Sequence, residues 1–432
     1  MAGGPLSHDA VIPMDGTTAT AVVWRALDRL YVTAIAKATF AFADEAFMSR
    51  IEPEKILTAE VHHGKNPARS VRFTNDLAPY LARADVVFTG FAHALPGGPV
   101  RSLPVRFAIQ TGDRSSLDKR LLVQDASGFH RLAVTYERAW GGVDCLENPL
   151  GVGAVAGTGE PNIVDPANPK MPAGFAPVGR LWPARKRLLG STSRKVLEGP
   201  IAEIPDGFDW SYFQAGPQDQ RIDYLRGDEW VLLEGLHPTL ARIRMHLPRV
   251  QAFARVLGLA AFGVPDGQML PLNADTLRVD GEHQRCTLVF RASFAVPDAT
   301  ALAGLRIMAG VESWGVPIVW RAPPAARARL STRPPAPAPP AAEDAKIADR
   351  SDIDLTIAQV RPDALPRLTA AGTIMIDSSS EGSNAMVPAL PPGVSASHPQ
   401  MQLLPPSSRG ALPSRSLPPP NPPSSRGFDP KS

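Results

Sequence analysis

Cysteine is nearly absent: Cys145 and Cys286 are the only two in 432 residues, and neither stands in a Cys-x-x-Cys pair. One disulfide is possible by arithmetic, but two lone thiols so far apart fit a reducing compartment better. Charge of one sign is lacking too. The formal net charge is +3, with no run of Lys or Arg long enough to neutralise a row of phosphates, so nucleic acid is not an expected partner. No apolar stretch approaches bilayer length, and Met1 to Pro13 has no basic segment leading into an apolar one, so membrane insertion is not expected. These absences point to a soluble, cytoplasmic protein. Persuasive helices are few: Val250 to Val256 has helical composition, and Asp76 to Arg83 is too brief and proline-broken to be more than a turn. Aromatic residues also run out. Every Trp and Tyr precedes Arg321, and Phe428 is the only aromatic residue after it.

The folded body is therefore expected over residues 15–321, between a flexible N-terminus at 1–14 and a proline-rich tail at 322–432. The tail carries Pro334-Pro-Ala-Pro-Ala-Pro-Pro340 and Pro418-Pro-Pro-Asn-Pro-Pro423, and its apolar content is too sparse for a core. This composition predicts disorder with some polyproline II character. Two apolar islands, Ile353 to Val360 and Thr373 to Ile376, read either as linker or as short docking motifs.

Within the body, short runs of β-branched and aromatic residues are bounded by Gly, Pro, Asp and Asn. Strands are predicted at Tyr31 to Phe42, Asp85 to Phe91, Pro104 to Ile109, Leu121 to Gln124 and Arg131 to Tyr136. Further strands are predicted at Glu229 to Leu236, Leu240 to Leu247, Thr276 to Val279 and Cys286 to Val296. The expected fold is mainly β and sandwich-like, with two packed sheet layers or two linked sandwiches. An internal echo suggests two related halves, 15–135 and 221–321, around a loop region at 136–220. In it Val32 to Ala41 resembles Cys286 to Ala295, with Lys37 and Arg291 at the same relative place, and Val86 to Phe91 resembles Val231 to Leu236.

The loop region is the most telling stretch. It is rich in Gly and Pro yet carries Trp140, Trp182, Trp210, Tyr136, Tyr212, Phe175, Phe208 and Phe213. Disordered segments are poor in aromatics, and a helix cannot hold so many backbone breakers, so a long, specifically folded loop anchored by buried rings is expected. Ordered loop on this scale usually presents a surface.

Groups that would do chemistry are less evident. Gly151-Val-Gly153-Ala-Val-Ala-Gly157 has the wrong spacing for a dinucleotide loop and follows Pro149 where a strand should feed in. His62 and His63 are adjacent and, on a strand, would face opposite ways; no metal or other cofactor is expected. No Gly-x-Ser-x-Gly elbow occurs. Carboxylates stand close in sequence at Asp206 and Asp209, at Asp219 and Asp223, and at Asp228 and Glu229, which fits turn chemistry better than paired acid catalysis.

Tyr136-Glu137-Arg138-Ala-Trp140-Gly141-Gly142 stands apart. Strand alternation would put Tyr136 and Arg138 on one face, with the strand breaking at the glycine pair so that Trp140 packs over it. Arg138 and Glu137 either fasten the loop to a sheet or bind a ligand. Phe213-Gln214-Ala-Gly-Pro-Gln218-Asp219-Gln220 could fasten its other end.

These motifs, met in order with Lys37-Ala-Thr39-Phe40, Asp76-Leu-Ala-Pro79, Asp85-Val-Val-Phe-Thr-Gly90, Gly112-Asp113-Arg114, Asn148-Pro-Leu-Gly151, Pro161-Asn162, Pro172-Ala-Gly-Phe175, Asp206-Gly-Phe-Asp209 and Gly227-Asp-Glu229, resemble a known series. They are similar to the bacterial domain-of-unknown-function family encoded beside type VI secretion spike and effector genes, over residues 15–320. The resemblance implies a non-enzymatic adaptor or chaperone whose partners are a secreted effector and the spike protein. It supplies no catalytic residues, and the pentapeptide repeats fused to some relatives are absent here. Arg138, Trp140, Trp182, Trp210 and Phe213 are then the candidate partner anchors. Alternatives are a carbohydrate or ester hydrolase using Asp113, His130, Glu137 or Asp209, and a structural spike or baseplate component.

Overall fold

The computed structural model describes Leu6, residues 10–95 and 97–321, and the backbone of Arg367–Leu368 and Ile374–Met375. Those two short segments pair antiparallel with each other. The rest of the tail, including the island Ile353 to Val360, lies outside the described residues.

The protein is mainly β. Its larger sheet has eleven strands. The hydrogen-bonded order is β1 (Val11–Pro13), β22 (Arg306–Glu312), β19 (Gln251–Leu257), β20 (Gln268–Asp280), β21 (Arg285–Val296), β3 (Arg29–Ala41), β2 (Thr18–Ala26) and β15 (Ile201–Ile204). Off this path, β4 (Ser49–Ile51) pairs with β3, β7 (Ala84–Thr89) runs parallel to β20, and β16 (Arg221–Ile222) joins β7. The second sheet has five strands, in the order β14 (Ile163–Val164), β10 (Arg114–Phe129), β9 (Val100–Thr111), β17 (Trp230–Glu234) and β18 (Arg242–His246). Two-stranded pairs join β5 (Val61–His62) to β6 (Val71–Phe73), β8 (Phe91–His93) to β11 (Arg131–Ala133), and β12 (Trp140–Gly141) to β13 (Val152–Gly153).

β3 shows why the sequence gives this centre. From Leu30 to Phe40 every residue is buried, and the small and β-branched side chains suit a strand covered on both faces. One face joins a core shared by both sheets, which includes Val32, Phe40, Phe107 and Val231. The other contributes Tyr31, which stacks on Trp24 at 4.4 Å. Phe88 of β7, Phe107 of β9 and Phe175 of the loop region meet with ring centroids 5.9–6.1 Å apart. A ring from the loop region thus sits in the core between the two sheets, and burying each such ring contributes about 2–3 kcal/mol.

The echo has a structural counterpart in one of its two parts. β3 and β21 are antiparallel neighbours, and their register pairs Lys37 with Val289, Ala36 with Phe290 and Ile35 with Arg291. A local two-fold through the Ala36–Phe290 pair therefore exchanges Lys37 and Arg291. The second pair of segments takes unlike places, since β7 runs parallel to β20 whereas β17 lies antiparallel between β9 and β18.

Three expectations are corrected. Val250 to Val256 is not helical; β19 pairs on both sides with β20 and β22. Its alternating burial, with Ala252, Ala254 and Val256 inward, shows sheet pairing overriding the helical preference of alanine. The body begins before residue 15, because Val11–Pro13 pairs in parallel with β22 and Met14 is buried. The strand expected to Tyr136 ends at Ala133, and Tyr136–Arg138 forms a 3-10 turn. Sequence reading also missed β2, β15 and β22, whose mixed polar and alanine-rich composition mutes the strand signal.

Candidate functional site

The loop region is held by side chains that satisfy main-chain groups. Gln220 is fully buried; its Nε2 donates to the carbonyls of Val86 at 2.7 Å and Phe175 at 2.9 Å, and its Oε1 accepts from Lys119 Nζ at 2.9 Å. One amide therefore ties β7, the loop region and β10 together. Lys119 also pairs with Asp219 at 2.8 Å. Asp85 accepts from the Ala215 amide at 2.6 Å; burial nonetheless pushes its carboxyl pKa upward. Gln214 donates to the Arg83 carbonyl at 3.2 Å. Gln218 lies exposed beside these residues.

The other end is fastened in the same manner. Asn148 donates to the carbonyls of Tyr136 and Trp140, each at 2.9 Å, and accepts the Gly142 amide on its own carbonyl at 3.0 Å. A Cβ on Gly141 would overlap that Asn148 carbonyl, so the close approach requires glycine there. Asn162 accepts from Arg138 Nη1 at 3.1 Å and donates to the Gln124 carbonyl at 2.8 Å. Glu137 receives the Ser70 amide and hydroxyl, both at 2.8 Å. Burial opposes its charge, yet these donors hold its carboxyl below the ordinary value.

Arg185 is the fastener that sequence reading missed. It lies on α1 (Pro183–Lys186), is buried, and donates to the carbonyls of Tyr212 at 2.7 Å, Val178 at 2.8 Å and Phe213 at 3.2 Å. Nothing in Ala184-Arg-Lys-Arg187 distinguishes it from a solvated basic run. Beside it lies a cavity of about 70 Å³ lined by the polar groups Glu60, Asp85, Arg185, Thr276 and Arg291 and by the apolar Leu77, Leu81, Leu197 and Phe213, room for a few waters.

The five candidate anchors separate into two kinds. Arg138 is exposed and Trp140 half-buried. Trp182 is 6% exposed and packs edge-on against Tyr136 at 5.0 Å, which places it in the core of the loop region and off its surface. Trp210 and Phe213 join Trp24, Tyr80, Phe208 and Tyr212 in an aromatic cluster. That cluster ties the loop region to the face of β2 and β3 opposite the main core.

The loop region also walls a groove of about 490 Å³, and none of the five candidate anchors lines it. Its walls are mostly loop region: Tyr136, Met171–Gly174, Ala184, Arg185, Arg187, Leu188, Asp209 and Pro217–Asp219, with Lys119 and Leu121 of β10 at the base. Met171 is 57% exposed beside it. Of the four residues named for a hydrolase, Asp113, His130, Glu137 and Asp209, only Asp209 lines this groove, where it caps the Ser211 amide at 2.9 Å. Asp113 and His130 flank opposite ends of the long strand β10, Asp113 together with Arg114 at the exposed hairpin tip.

A family model described as "Uncharacterized protein conserved in bacteria (DUF2169)" matches residues 28–291. The chain belongs to this family. No curated protein and no solved structure matches it. The span assigned to the DUF2169 family takes in the whole loop region, both ends of its fastening, and a buried charge network on β3, β20 and β21.

At the centre of that network is Asp76. Its carboxylate accepts from Lys37 Nζ at 3.1 Å, Arg278 Nη2 at 2.9 Å and the Leu57 amide at 2.7 Å. Arg291 donates to its carbonyl at 2.7 Å and pairs with Asp275. The two cations exchanged by the local two-fold thus converge on one turn. Lys37 is fully buried, and burial, followed by Arg278, lowers its pKa.

Asp275 gives the network a pH dependence. Burial pushes its carboxyl up to about 7 against the pull of Arg291, whereas an unfolded aspartate titrates near 3.9. Between about pH 4 and 7 the folded chain keeps a proton that the unfolded chain has lost, so this group's contribution to stability falls as pH rises through that window. Asp275→Asn is expected to remove the effect. In urea unfolding from pH 4 to 7, stability of the variant minus that of the parent should rise by on the order of 3 kcal/mol. A difference that stays flat, or falls, would show that Arg291 keeps Asp275 ionised.

Proposed function

We propose that the chain is a non-enzymatic adaptor that grips a segment of another polypeptide in the groove walled by the loop region. The supporting observation is the combination of an open groove with walls fixed from beneath. Lining residues stand on segments whose main chain is secured by Gln220, Asn148, Asn162, Arg185 and Asp85. A surface ordered before binding avoids part of the entropy cost of gripping a flexible segment. Met171, Leu188 and Pro217 supply apolar contact, and Arg187, Asp209 and Asp219 supply a polar rim, the mixture typical of protein recognition. In the setting implied by the motif resemblance, the cargo is a type VI secretion effector and the destination is the spike, with loading in the cytoplasm.

Co-purification of the full chain with the effector and spike proteins encoded beside it tests this reading. A stoichiometric complex with the effector is expected. Met171→Asp combined with Arg187→Glu should weaken it at least tenfold without lowering the melting temperature, because both side chains are exposed. An effector complex indifferent to that pair would move the binding site elsewhere. Turnover of an ester or glycoside that disappears in Asp209→Asn would replace the adaptor with an enzyme.

A further inference from the structure

A row of rings crosses the second sheet, away from the groove. Trp230 on β17 and His246 on β18 are cross-strand partners, on the face opposite the core residues Val231 and Leu233, and they stack at 4.4 Å. Phe47 stacks on His246 at 4.3 Å, and Trp314 lies 5.4 Å from Phe47. Arginines cap both ends, with Arg244 over Trp230 at 3.9 Å and Arg249 over Trp314 at 4.0 Å. Phe47 is 42% exposed and Trp314 57%, and beyond them Val316 and Val319 are 45% and 63% exposed. A contiguous row of Trp, Phe and Arg, half-buried at Trp230 and His246 and exposed at Phe47 and Trp314, has the composition of an interaction hot spot.

The chain carries a segment suited to cover it. Arg321 is held by an ion pair to Asp15, and Trp320 packs under Arg255 at 4.5 Å, which fixes the place where the chain leaves the body. Trp314 precedes Arg321 by about seven residues, so it lies within about 25 Å of that place. Pro334 follows Arg321 by about thirteen residues, a span of up to about 43 Å when extended. Proline-rich segments present a ready-made polyproline II helix to aromatic-lined grooves. Charge sets a direction: Arg333 precedes the proline run and Glu343 and Asp344 follow it, so the acidic end suits Arg249, which has no acidic partner among the described residues.

We propose that Pro334–Asp344 of the same chain docks as a polyproline II helix on the Trp230–His246–Phe47–Trp314 row, with Glu343 and Asp344 directed at Arg249. Tethering makes the contact intramolecular, so modest affinity suffices for it to form. A partner bearing a similar proline-rich segment would have to displace it, which makes the row an exchangeable clasp.

Hydrogen exchange of the full chain tests the proposal, comparing the parent with a variant in which Pro334, Pro335, Pro337, Pro339 and Pro340 are all alanine. A melting temperature equal to the parent's is the check that the variant's body is folded. Amides of residues 44–48 and 313–319 should exchange at least fivefold faster in the variant, and unchanged rates would overturn the docking. A benzophenone amino acid in place of Val316 adds a second readout. On irradiation of dilute full chain it should cross-link to residues 334–344 of its own chain. Cross-links to a second copy, to another part of the body, or none at all would each count against the proposal.

Discussion

Replacing Asp76 by alanine is expected to lower the unfolding free energy by about 4 kcal/mol. The side chain is 1% exposed and receives Lys37, Arg278 and the Leu57 amide. Its loss strands two buried cations and an amide in a medium where unpaired charge is costly. Lys37 can respond by shedding its proton, which burial already favours; Arg278 cannot, since a guanidinium stays charged. Lys37→Met should therefore cost less than Asp76→Ala, and the double variant should be more stable than Asp76→Ala alone. Urea unfolding followed by tryptophan fluorescence gives all three values. A cost below about 1 kcal/mol for Asp76→Ala would mean that the network does not fasten residues 52–83 to the sheet.

Gln220→Leu is the second large effect, at about 3 kcal/mol. Leucine nearly matches glutamine in volume, so the loss comes from polarity and not from a cavity. The carbonyls of Val86 and Phe175 lose their donor, and Lys119 loses one of its acceptors. Because Gln220 joins both sheets to the loop region, the consequence should be local as well as global. Limited proteolysis should cut the variant within 136–220 at a protease concentration that leaves the parent intact. An unchanged melting temperature and cleavage pattern would show that the aromatic clusters alone hold the loops.

What could be read in advance follows a physical divide. Strands with dense β-branched residues, such as Tyr31 to Phe42 and Cys286 to Val296, announced themselves because burial on both faces demands that composition. Val250 to Val256 misled because its alanines carry little strand signal, and only pairing with β20 and β22 makes it one. The expectation of buried rings came from composition alone, and Phe175 at 0% and Trp182 at 6% exposure show where two of them go. The same burial takes Trp182 off the surface as a candidate anchor, since sequence shows that a ring is needed but not which side it faces. Arg185 gave no signal, and the motif holding Asp85 gave none of its fastening role, because both depend on carbonyls and amides far along the chain. The groove was illegible for the same reason, as its walls come from segments scattered between Tyr136 and Arg221.

The most direct measurement is hydrogen exchange of residues 136–220 in the full chain, alone and with the proposed effector cargo. Alone, the amides of Gly142, Asn162, Ala215 and Gln220, each bonded to a carbonyl or carboxylate, should be protected to the degree of the central strands. With the effector, added protection should fall on the groove segments 171–174, 184–188 and 217–219. Exchange of the free loop region at the rate of an unfolded chain, or effector protection confined to some other surface, would contradict a preformed groove that grips a polypeptide.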